Sequence, residues 1–238
     1  MHNVFVGTAR DLVASTIRTL IRHKCYEHVS DNVETVLDHI HREILSDTKA
    51  QGLSLPAKPP LNEANLGGTD YAELSSKYKA IHVKILVWWV AAKCQRCADL
   101  KPSDRVLQML ATCTFSLQRG IELLDQSGLV MDWGKAREAS ESILLHSKSF
   151  SWLSAHFFEK RVLLFRMRPK SHYIMHQALD LQKTAINLNC FHTFQEEAFL
   201  GRIKALALAC HGRTMTARVF ARYVLCLALL VHKYRPGP

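Results

Sequence analysis

Apolar residues recur every three or four positions along most of this chain, a period that predicts amphipathic helices. The first runs from Thr8 to Tyr26, with Leu12, Val13, Thr16, Ile17, Leu20 and Ile21 on one face and Thr8 as its N-cap. Arg18, Arg22 and Lys24 lie towards its end, where positive charge suits the helix dipole. Asp31 to Ser46 predicts a second, because Asp31 and Glu34 have capping-box spacing ahead of Val33, Val36, Leu37, Ile40 and Ile44. Residues 1–49 therefore read as an N-terminal helical hairpin. Residues 50–70 lose the period and contain Pro56, Pro59, Pro60, Gly67 and Gly68, which predicts a flexible linker.

Residues 71–238 read as the main helical domain. Tyr71 to Ala98 predicts a long, central, largely buried helix through Leu74, Tyr78, Ile81, Ile85, Trp88 and Trp89. Ser103 to Gln126 predicts the next, with the stripe Val106, Met109, Leu110, Cys113, Leu117, Ile121 and Leu124. Asp132 opens another that runs to Phe157 and is expected to bend near Ser147 to Ser151. From Lys160 to Met167 the pattern predicts buried Val162, Leu163, Leu164 and Phe165 beside exposed Arg161, Arg166 and Arg168, before Pro169 ends the run. Thr193 and Glu196 form a capping box for a helix from Phe194 to Cys210, and Thr214 caps a last helix, Met215 to His232. No segment reads as a strand. The expected fold is all-α, an irregular multi-helix bundle of about seven to nine helices.

Charge changes this picture because it is unevenly placed. Residues 1–159 hold 18 Lys/Arg against 18 Asp/Glu, and residues 160–238 hold 13 against 3, so the whole excess of +10 lies in the last third. Such asymmetry is the electrostatic footprint of a nucleic-acid or anionic partner. The seven cysteines are odd in number and scattered, which suits free thiols in a reducing compartment. Cys94-Gln-Arg-Cys97 lacks the second pair of a zinc knuckle and reads as two structural thiols at a helix end. The apolar runs are shorter than the ~20 residues a bilayer requires, so the expectation is a soluble intracellular protein, nuclear or cytoplasmic, with no transmembrane segment.

Candidate chemistry gathers between Arg166 and Arg213. His172, His176 and Asp180 are four apart, so a helix after Pro169 places them on one face, where two histidines can grip a divalent metal. Asp180, Glu196 or His211 are the candidate third ligands; the competing expectation, preferred here, is that both histidines hydrogen-bond within a helical core. Glu196 and Glu197 complement a helix N-terminus and are also the only catalytic candidates, too few to make a catalytic set. Lys170, Arg202, Lys204, Arg213, Arg218 and Arg222 are candidate phosphate contacts, and Arg218 and Arg222 form one helical ridge.

The segments RPKSHYIMHQALD, LNCFHTFQEEAFLGRI and CHGRT resemble a segment of uncharacterised proteins encoded in protist genomes. More loosely, Pro-Lys-x-His-x-x-x-His followed by a glutamate-bearing helix is similar to the C-terminal part of transposase-derived open reading frames. That resemblance implies a DNA-related origin, with Glu196 or Glu197 in the place of the last acid of a metal-dependent nuclease triad. The chain offers no two earlier aspartates on strands, so a fragment without catalysis is the expected form. Three readings follow: a non-catalytic nucleic-acid-binding protein, a metal-dependent nuclease-like enzyme or relic, and a helical interaction module that oligomerises through its last helix.

Overall fold

The structure, a computed structural model, describes residues 7–53, 55 and 59–191, together with 204, 207–208, 214 and 218–225. It divides into two compact units, Met1–Phe191 and His192–Pro238. The fold is all-α: among the described residues there is no strand, only one isolated bridge between Val130 and Ile186. No described helix is long and apolar enough to cross a membrane.

The first unit is built around a short helix, Ala9–Arg22 (α1). Ten of its fourteen residues are buried, which makes it a central element. Small residues on several faces, Ala14, Ser15, Thr16 and Thr19, let neighbours approach closely. Each fully buried Leu or Ile adds roughly 1.5–3 kcal/mol of apolar burial. Thr8 does not cap α1. Its backbone is already helical, within a wide turn that includes Gly7, and its buried hydroxyl meets no partner.

The second helix is Val33–Ala50 (α2), and its cap is Asn32 rather than Asp31: the Asn32 side chain accepts the Thr35 N–H at 3.1 Å. Residues 59–70, expected within a flexible linker, are fastened to the body. Leu61 and Leu66 are buried, and the Arg18 guanidinium donates to the Gly68 carbonyl at 2.6 Å. Gly67 has φ +94°, and a Cβ there would lie 2.4 Å from the Tyr71 carbonyl, so only glycine fits the turn.

Residues 71–79 are not helical, and the third helix is Ala80–Leu100 (α3). The spacing of Leu74 and Tyr78 is misleading because this stretch bonds to distant backbone. Ala72 donates its N–H to Leu163 at 3.1 Å and Leu74 donates to Arg10 at 3.3 Å. The expected central burial of Val87, Trp89 and Val90 is found.

Among the described elements, helices Arg105–Asp125 (α4) and Trp133–Glu159 (α5) share the most extensive helix–helix interface. Each starts where an aspartate accepts two backbone N–H groups, Asp104 from Val106 and Leu107, Asp132 from Gly134 and Lys135. α5 runs unbroken through Ser147 to Ser151, whose hydroxyls donate to the carbonyls of Ile143 and Ser147. Beyond it, residues 161–167 form a loop. Arg161 and Phe165 adopt positive φ, and this turns Leu164 and Phe165 inward while Leu163 is exposed. The Phe165 N–H donates to Ser15 on α1 at 2.8 Å. The last described α-helix of the unit is Pro169–Thr184 (α6), with proline at its first position.

Candidate functional site

α6 packs on α5 through Ser171, Ile174, Ala178 and Leu181, and Ser140 of α5 donates to the Ala178 carbonyl at 2.7 Å. That stripe fixes the orientation of everything else on the helix. His172, His176 and Asp180 fall on the outward side and are exposed, so the expected core histidines are not core residues. The two imidazoles meet edge to face, with Nε2 atoms 2.9 Å apart. One ring donates its Nε2–H to the Nε2 of the other, so the contact is a direct hydrogen bond between the two side chains. Among the described residues no group of three or more His, Cys, Asp or Glu could hold a metal. His211 and Glu196, the other candidate ligands, lie outside the described residues, as do Glu197, Arg202 and Arg213.

Lys170 is exposed, with its stem laid across the first turn: a Cβ on Gly7 would lie 2.9 Å from the Lys170 Cδ. Lys204, Arg218 and Arg222 are exposed, and Arg218 and Arg222 sit one turn apart in the helical run 218–225. The same run exposes Phe220, Val224 and Leu225. In the first unit Lys160, Arg161, Arg166 and Lys183 are exposed as well.

Arg168 departs from the expectation of an exposed arginine. Its Nη2 donates to Asp11 Oδ1 at 2.9 Å and also to Glu73, while Nε lies 2.7 Å from Asp11 Oδ2 without its N–H pointing along that contact. Asp11 is deeply buried on α1. Burial pushes its carboxyl up to about 6, and the Arg168 guanidinium only partly offsets this. Arg168 is thus a structural cation that anchors the entry to α6, and it is withdrawn from the set that faces solvent.

Two arginine-lined clefts flank the 161–167 loop, and the sequence pattern points to neither. One, of about 530 Å³, carries Arg18, Arg22 and Arg161 on its wall with Leu37 and Leu66 beneath. The other, of about 750 Å³, carries Arg10 and Arg166 beside Glu73, and the Arg166 guanidinium lies 5.5 Å from the Tyr71 ring centre. Arg18 and Arg22 are four apart, a visible signal, but the helix dipole alone accounts for cations near a helix end. Acids line these clefts too, Asp70 in both and Glu63 in the first, so their field is mixed. Compared with protein-family models, with curated proteins and with solved structures, the chain matches none.

Proposed function

We propose that this chain binds the phosphate backbone of a nucleic acid through the basic side chains of its last third, without catalysing a reaction on it. The observation that carries the reading is the placement of charge: residues 160–238 hold the entire excess of +10. The described cations of this stretch support it, because all except Arg168 are exposed. Lysine and arginine heads held at a surface attract phosphates without reading base sequence. A transposase-derived origin, implied by the resemblance of the Arg166 to Arg213 segment, agrees with such a partner.

The test is a salt titration of binding to duplex DNA and to duplex RNA. Binding should weaken linearly in log–log form, with a slope of roughly −0.9 per phosphate neutralised on DNA. Binding that ignores salt, or none at low salt, would sink the reading. A second reading, self-association through the last helix, is favoured by exposed Phe220, Val224 and Leu225. Sedimentation without nucleic acid, in the same experiment, separates the two: a monomer excludes the second.

A further inference from the structure

The cysteines of the first unit do not pair as their sequence spacing suggests. Cys94 and Cys97 share α3, but Cys94 is fully buried and hydrogen-bonds with Thr114 of α4. Cys97, in the last turn of α3, hydrogen-bonds instead with Cys25, just beyond the end of α1. The backbone keeps the two together. Four residues after Cys97, the Lys101 ammonium donates to the His23 carbonyl at 2.8 Å and to the Lys24 carbonyl at 3.2 Å, immediately before Cys25. The Cys25 N–H is itself tied to the Leu20 carbonyl at 3.0 Å. Cys25 is partly exposed and Cys97 is 5% exposed behind it.

We propose that Cys25 and Cys97 are a redox-active dithiol that a hydroperoxide converts into an intramolecular disulfide tying the end of α1 to the end of α3. The surroundings suit the chemistry. The hydrogen bond from Cys25, with Lys93 and Arg96 close by, brings the Cys97 thiol below the ordinary thiol range against the opposing effects of burial and Glu43. That same hydrogen bond, with burial, pushes Cys25 up, so Cys25 is the proton holder. Lys93 is fixed in place by Glu43 at 2.7 Å and lies over the Tyr26 ring at 4.5 Å.

In the first step the Cys97 thiolate attacks one peroxide oxygen. The O–O bond breaks, hydroxide leaves and takes a proton to become water, and Cys97 becomes a sulfenic acid. In the second step the Cys25 sulfur attacks the Cys97 sulfur. The S–O bond breaks, and the departing hydroxide takes the Cys25 proton as a second water. Each sulfur gives up one electron, and the peroxide oxygens accept the two.

Trypsin makes the test clean, because Lys93 and Arg96 separate Cys94 (residues 94–96) from Cys97 (residues 97–105, with the Lys101–Pro102 bond uncut), and Cys25 lies in 25–42. The reduced full chain is treated with one equivalent of hydrogen peroxide, capped with an alkylating agent and digested. The expected product is peptide 25–42 joined to 97–105, lighter by two hydrogens than the two thiol peptides and restored to them by dithiothreitol. Cys94→Ser should leave that product unchanged and Cys97→Ser should abolish it. In the untreated wild-type protein, alkylation of Cys97 should set in at a lower pH than that of an ordinary thiol. Separate recovery of 25–42 and 97–105 as alkylated thiols, or a link from 94–96 instead, overturns the proposal, as does alkylation of Cys97 that begins only at the alkalinity of an ordinary thiol.

Discussion

Asp11 and His146 are two buried titratable side chains that pull the pH dependence of stability in opposite directions. Burial raises Asp11 from its ordinary 3.8 to about 6, so the folded chain holds that proton more tightly than the unfolded chain. Its stabilising effect is complete below about 4 and is lost as pH rises through about 6. His146 is fully enclosed, with its ring Nδ1 2.9 Å from the Cys113 carbonyl, and burial lowers it from 6.5 to about 4. Its contribution is present above 6.5 and is lost as pH falls toward about 4. At roughly 1.4 kcal/mol per unit each effect is about 3 kcal/mol, so the two nearly cancel between pH 4 and 6.5. Asp11→Asn removes one arm and should unmask the other. Urea unfolding at pH 7 and at pH 4.5 should show the variant losing about 2 kcal/mol more on acidification than the wild type. Parallel profiles for the two proteins would contradict this. None of it is legible in the sequence, because Asp11 reads there as the acid three residues after Thr8 at the start of a helix. Its partner Arg168 is 157 positions away, and no local pattern carries that distance.

Among the elements, α4 and α5 are readable in the sequence nearly to their ends. Their stripes are long, each begins at an aspartate, and of the predicted face Val106, Leu110, Cys113, Leu117, Ile121 and Leu124 are buried while Met109 is half-buried. Residues 71–79 are not readable, since apolar spacing of four fits both a helix and a chain pinned at Ala72 and Leu74 by remote carbonyls. The α4–α5 interface hides one further determinant in a residue the pattern treats as neutral. Gly120 sits mid-helix, and a Cβ there would lie 2.9 Å from Ile143 Cγ1 and 3.5 Å from the Ala139 carbonyl. Two effects therefore compete in Gly120→Ala. Helix propensity favours alanine by about 1 kcal/mol, and overpacking against Ile143 costs about 1–3 kcal/mol. The clash is with the stem of a buried branched side chain on a rigid neighbour, so overpacking wins, and the single variant should lose about 1 kcal/mol. In an Ile143→Ala background the obstruction is gone, and the same substitution should stabilise instead. A double-mutant cycle by thermal unfolding reads this directly. Equal effects in both backgrounds would mean that Gly120 does not set the approach of the two helices.

At the scale of the whole molecule the relevant quantity is how the charge is shared between the two units. Residues 160–191 hold six Lys/Arg and one acid, and residues 192–238 hold seven and two, so each unit carries half of the +10 excess. This much is legible from counting. What the sequence cannot supply is which cations are committed to the fold: Arg168 is held by Asp11 and Glu73, and Arg10 is engaged by Glu73 and the Leu74 carbonyl. If both units touch the phosphates, the two halves of the charge should act additively. Lys170→Ala with Lys183→Ala removes exposed cations from the first unit, and Arg218→Ala with Arg222→Ala removes them from the second. Each pair should reduce the salt slope on duplex DNA by roughly 2, at about 0.9 for each phosphate no longer neutralised, and all four together by the sum. The fall in affinity should be the same for unrelated DNA sequences, since phosphate contacts carry no base information. A slope altered by only one pair confines the binding surface to that unit. A slope altered by neither removes these side chains from the interface, and the charge asymmetry must then be explained by something other than phosphate.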